Sequence, residues 1–270
     1  MCSCQVAPPL SLFEGVDRLA TDYFGITSIG HWSAMLKLGK APPAAFDGPA
    51  FVSKLFSQVS ANWNGCLAAL AALDHLPSRE NWRWFDPKYE CSDHNRSAEV
   101  TLERNIVKAA RSQNRMDWSN QVPVASGVIK GGDRKRAIDL VHQRGPSAFD
   151  FVELKVESNN PLYAAVEILQ YGFVWLLSRL SQDALGYGGR PLIQASDVQL
   201  SVLAPQAYYR DLNLRWLSVG LSEGLQTLGE RNGGVRLSFA FEAFAHSFAW
   251  PVPRPDPATV LSALDGRIRR

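Results

Sequence analysis

Two strand-type runs on either side of a turn constrain this chain most. Arg136 to His142 (RAIDLVH) and Phe149 to Val156 (FDFVELKV) are built on Ile, Leu, Val and Phe. Between them, Gln143 to Ser147 (QRGPS) carries Gly and Pro, which break strands and make turns. The spacing predicts an antiparallel hairpin with Asp139 opposite Glu153, their Cβ atoms about 5 Å apart on one face. Lys155, two residues past Glu153, shares that face by the period of a strand. Strands this apolar are expected to be covered on both faces. Two carboxylates side by side under cover repel, and desolvation adds to the cost. A divalent cation is the simplest offset, and hard Asp and Glu oxygens suit Mg²⁺ or Mn²⁺. The alternative is that Lys155 alone neutralises Glu153 while Asp139 faces water.

With 270 residues, 46% hydrophobic and 20% charged, one large domain, or one domain with an extension, is expected. No run of eighteen apolar residues occurs, so no membrane partner is expected, and the N-terminus lacks the regions of a secretory signal. A net charge of +2 is too small for a dedicated nucleic-acid coat but leaves room for a local basic cleft. Cys2, Cys4, Cys66 and Cys91 match no zinc or disulfide framework, so reduced thiols in a cytoplasmic protein are expected.

Residues 1–92 read as a mostly helical extension, with two short helices over Ser11 to Leu38 and one or two over Ala50 to Leu76. Asn81 to Tyr89 (NWRWFDPKY) mixes aromatic and basic residues. Such a stretch can stack bases, but packing between the N-terminal helices and the rest is the expected role. Ser97 to Arg111 predicts a helix with Ser97 as N-cap, Leu102, Ile106 and Ala110 as its apolar stripe, and Glu99 and Glu103 together on one side. A first strand is expected over Gln121 to Ser126. The loop from Gly127 to Arg136 gathers Lys130, Arg134, Lys135 and Arg136, either as a solvated tip or as phosphate contacts beside the hairpin. After Lys155 the pattern predicts a helix from Pro161 to about Leu180, a strand over Val198 to Leu203, a helix over Tyr208 to Leu228 and a strand over Val235 to Phe241. Residues 251–270 form a Pro-rich and basic tail. From Ser97 onward the order is helix, three strands, helix, strand, helix, strand, which predicts an α/β fold with a mixed sheet flanked by helices.

Asp139, thirteen residues, then Glu153-Leu154-Lys155 on two consecutive strands resembles the D…ExK signature of the restriction-endonuclease-like PD-(D/E)XK nuclease superfamily. The likeness spans residues 95–245, with Ile138 where the family usually has Pro. It implies a restriction-endonuclease-like core in αβββαβ order within residues 93–250. It also implies a Mg²⁺-dependent nuclease that hydrolyses phosphodiester bonds, with DNA as the expected substrate. Asp139, Glu153 and the Leu154 carbonyl would hold the metal, and Lys155 would act on the reacting phosphate. Glu103, in preference to Glu99, would add a carboxylate from the helix before the hairpin. A related exonuclease branch carries Gln-x-x-x-Tyr on the helix after the hairpin. Gln170 fits, but Val174 stands at the Tyr position, so Gln170 and Tyr171 are a partial match. No cysteine follows Cys91, which gives no support for the iron–sulfur cluster of some relatives. The alternatives are a non-catalytic module of the same fold that binds nucleic acid or protein, and a hydrolase of small phosphoesters. Specificity, endo- or exonuclease action, DNA against RNA, and a protein partner or homodimer have no readable motif.

Overall fold

A computed structural model describes residues 9–40, 42–43, 45–72, 76–92, 94–95, 97–129, 132–245, 248–251 and 255–270. Among them the order is α1 (Val16–Phe24), α2 (Trp32–Lys40), α3 (Gly48–Ala72), α4 (Ala98–Ser112), β1 (Trp118–Pro123), β2 (Ala137–Gly145), β3 (Ala148–Leu154), α5 (Pro161–Leu180), β4 (Asp197–Ala204), α6 (Arg215–Arg231), β5 (Arg236–Ala243), α7 (Pro257–Asp265) and β6 (Ile268–Arg269). The six strands form one mixed sheet in the order β1-β2-β3-β4-β5-β6. Strands β1 to β3 are antiparallel, β3 to β5 parallel, and β6 antiparallel on the edge. The fold is α/β.

Local chemistry sets the two helices that frame the hairpin. Ser97 caps α4 by accepting from the Val100 N–H at 3.2 Å, and Leu102, Ile106 and Ala110 are buried. Asn160 caps α5 by accepting from the Leu162 and Tyr163 N–H groups, with Pro161 pre-set for the first turn. Helix α5 is buried along almost its whole length, because it lies between one sheet face and the N-terminal helices. It passes so close over the sheet that a Cβ on Gly172 would stand 2.4 Å from the Leu200 side chain, so any larger residue there would require Leu200 to shift. The N-terminal helices share this core through Val16, Phe51, Leu55 and Val59. A second core on the opposite face joins α4 and α7 through Ile106, Val107, Leu261 and Leu264.

Three stretches differ from the sequence expectation. Strand β1 begins at Trp118, because polar Ser119 and Asn120 are buried in the ladder with β2. The helix expected from Tyr208 begins at Arg215; Gln206–Tyr209 is a short 3-10 turn and Asp211 takes a positive φ of 62° that interrupts the coil. The C-terminal tail was assigned no element, yet it supplies α7 and β6. Its basic residues are used internally: Arg267 donates to Asp150 at 3.1 Å and to Glu242 at 3.0 Å. The aromatic stretch packs, with Trp82 fully buried and its indole donating to Ser178 at 3.0 Å.

Candidate functional site

The hairpin register brings the two strand carboxylates together. Leu140 pairs with Val152 and Val141 with Phe151, so one step further Asp139 and Glu153 stand opposite each other. Asp139 accepts the Leu154 N–H at 2.9 Å. Lys155 continues the line, with its own N–H on the Leu203 carbonyl at 2.9 Å. Its ammonium lies 2.6 Å from Glu153 and 3.3 Å from Glu167 of α5. Glu167 also meets Arg136 at 3.6 Å and the Tyr171 hydroxyl at 3.4 Å. Among the described residues no cation stands within ion-pair reach of Asp139. Lys155 is therefore shared by Glu153 and Glu167, and the second strand carboxylate is left without a partner charge.

Electrostatics follow from this crowding. Burial pushes the Asp139 carboxyl up to about 6, Lys155 and the Leu154 N–H oppose the rise, and Glu167 and Glu99 add to it. Burial raises Glu153 well above the usual range, reinforced by Asp139 and Glu167. Burial alone would lower Lys155, but Glu153, Glu167 and Asp139 outweigh it and hold the ammonium protonated.

Helix α4 brings Glu99 to the end of the hairpin and Glu103 to β1. Glu99 accepts the Val156 N–H at 3.2 Å. Glu103 is 1% exposed and takes 2.6 Å hydrogen bonds from the Asn120 and Gln121 amides. Two consecutive strand residues can reach one acceptor only where the alternation breaks, and Gln121 does so with φ 49°. Burial pushes Glu103 up to about 8, with the Asp139 charge adding to the rise. A raised acid loses stabilising power as pH rises through its folded value. Wild-type stability is therefore expected to fall between pH 5 and 8. Glu103→Gln should flatten that fall and be more stable at pH 8 by on the order of 3 kcal/mol. Denaturant melts at both pH values check this, and parallel curves would contradict it.

The remaining expected residues divide. Gln170 donates to Asp17 at 3.4 Å, in a cavity of about 290 Å³ lined also by Phe13, Arg136, Tyr163 and Glu167. Tyr171 joins the cluster through Glu167. Arg134 and Lys135 are exposed, and Arg136 is turned inward over the Phe13 ring at 5.3 Å. Lys130 lies outside the described residues. Sequence reasoning passed over Glu167 and Tyr208. Glu167 could have been found by its place one turn before Tyr171 on the helix after the hairpin. Tyr208 is buried with its hydroxyl unpartnered, in the field of Lys155, Glu99, Glu153 and Glu167.

Among the described residues no three His, Cys, Asp or Glu side chains are grouped to hold a metal ion. Asp139 and Glu153 carry the hard oxygens that suit Mg²⁺, and among the described residues Asp139 has no cation within ion-pair reach. No helix is long and apolar enough to cross a membrane. Compared with protein-family models, curated proteins and solved structures, the chain gives no significant match to any of the three.

Proposed function

We propose that the chain is a metal-dependent nuclease with a restriction-endonuclease-like core, hydrolysing phosphodiester bonds, with DNA as the leading substrate. The observation that carries this reading is the Asp139–Glu153 pair on adjacent strands, with Lys155 paired to Glu153 and, among the described residues, no cation within ion-pair reach of Asp139. Asp139, Glu153 and the Leu154 carbonyl would hold Mg²⁺, with Mn²⁺ as a substitute. A cation there supplies charge that acidifies a coordinated water and offsets charge on the leaving oxygen. Lys155, kept protonated by its acidic neighbours, donates to the reacting phosphate. Tyr208 offers a further donor, its hydroxyl having no partner among the described residues. Arg134 and Lys135, exposed on the loop before β2, contact the backbone of the nucleic acid.

A second reading, a non-catalytic module of this fold, is favoured by one observation: the ammonium of Lys155 already bridges Glu153 and Glu167. Incubating plasmid, single-stranded DNA, RNA and a nucleotide monoester with Mg²⁺ separates the readings. Wild type should cut a nucleic acid and Asp139→Ala should not. Hydrolysis of the monoester alone would move the assignment to small phosphoesters. No hydrolysis of any of them would leave the binding module.

A further inference from the structure

We infer that α4 carries an oxyanion subsite of the phosphate class, built on Arg104 and Lys108 in the cavity between α4 and the segment around Tyr89. The two cations stand one turn apart and so share a helix face. The cavity measures about 370 Å³ and is lined by Tyr89, Glu90, Cys91, Arg104, Asn105 and Lys108. Its outer wall is pinned, because the Lys88 N–H donates to Asn120 Oδ1 at 2.7 Å and the Asn120 amide returns a bond to the Lys88 carbonyl at 2.9 Å.

Arg104 is the unusual member. Its side chain is 14% exposed, and Nε and Nη1 are covered with no hydrogen-bond acceptor among the described residues. Buried guanidinium nitrogens are ordinarily paired, because the planar fork gives up water only for a carboxylate, phosphate or carbonyl. The nearest carboxylate, Glu103, stands 3.6 Å away, and its oxygens are already held by Asn120 and Gln121.

Lys108 reaches Glu90 at 3.3 Å, but both side chains are more than half exposed and that pair competes weakly with a doubly charged ligand. The Asn105 amide is turned back to the Thr101 carbonyl. The cavity is lined by two cations, and Arg104 has no full carboxylate partner among the described residues, an arrangement that recognises a tetrahedral oxyanion. Free phosphate and a backbone phosphate present the same oxygens. The second source rests on the nuclease reading, because Arg104 directly follows Glu103 and so adjoins the acid cluster.

The test is calorimetric titration of the whole protein with inorganic phosphate, followed by a 20-mer single-stranded oligonucleotide without metal. Wild type should bind phosphate. Arg104→Gln should weaken it at least tenfold and Lys108→Gln severalfold, while Asp139→Ala should leave it unchanged. Lys108 is exposed, so its variant reports on the subsite even where Arg104→Gln folds poorly. If a backbone phosphate occupies the site, Arg104→Gln should also weaken the oligonucleotide and lower its salt slope by about one. Loss of phosphate binding with unchanged oligonucleotide binding supports the subsite and assigns it to free phosphate. Equal phosphate affinity in wild type and both basic variants, or no binding in any, overturns it. The phosphate arm needs no cleavage, so failure of the nuclease reading would leave its outcome intact.

Discussion

Lys155→Met is expected to keep a divalent metal and lose cleavage. Asp139 and Glu153 remain in place, so metal affinity should change little. The ammonium is withdrawn from the reacting phosphate, and removing a pre-placed donor from a covered site costs about 100- to 1,000-fold in rate. Stability separates this from a purely structural role. The ammonium bonds Glu153 at 2.6 Å and Glu167 at 3.3 Å, so its loss leaves two carboxylates facing each other in the metal-free protein. If neutralisation were its whole task, Mg²⁺ would substitute for the lost charge and restore both stability and cleavage. The expected result is that Mg²⁺ restores stability only. Lys155→Arg should not recover the rate, because a planar guanidinium cannot occupy the place of a compact ammonium. Single-turnover cleavage beside thermal melts, with and without Mg²⁺, measures all three proteins. Full activity in Lys155→Met would remove the catalytic role.

The second large effect concerns the unpartnered acid. Burial, Glu167 and Glu99 push Asp139 up to about 6, so the metal-free protein loses stability as pH rises from the ordinary carboxylate range through that value. Asp139→Asn removes the repulsion and keeps an oxygen for the Leu154 N–H. At pH 7.5 without metal it should be as stable as wild type or more so, by about 1–3 kcal/mol. Adding Mg²⁺ reverses the order. Wild type should gain about 2.7 kcal/mol at a hundredfold excess over Kd, and the variant should gain nothing. Urea melts with and without Mg²⁺ check both halves, and a clear loss of metal-free stability in Asp139→Asn would contradict the site.

The hairpin was legible because a two-residue period and a Gly-Pro turn leave only one register that keeps Ile138, Leu140 and Val152 under cover. The pairing of Asp139 with Glu153 followed from that register. Glu167 shares a helix face with Tyr163 and Gln170 in the sequence, but the resemblance pointed to Gln170 and Tyr171, and only the fold shows that Glu167 is the one that meets Lys155. Tyr208 was hidden inside an expected helix, because the break depends on Asp211 adopting φ 62°, which the apolar spacing does not report. The β1 boundary was missed for a related reason. Asn120 is buried and bonded to Glu103, as is half-buried Gln121, a tertiary demand that overrides the alternation. In the C-terminal tail the Pro-rich and basic composition masked a short helical stripe, Val260, Leu261 and Leu264 behind the Asp256 cap, which packs on α4, while Arg267 pairs with Glu242.

Isothermal titration of Mn²⁺ into wild type and Asp139→Ala at pH 7.5 tests the central claim most directly. The account expects saturable binding to wild type, competed by Mg²⁺, and no binding to Asp139→Ala while its fold is retained. Absence of binding to wild type, or equal binding to both proteins, would contradict it.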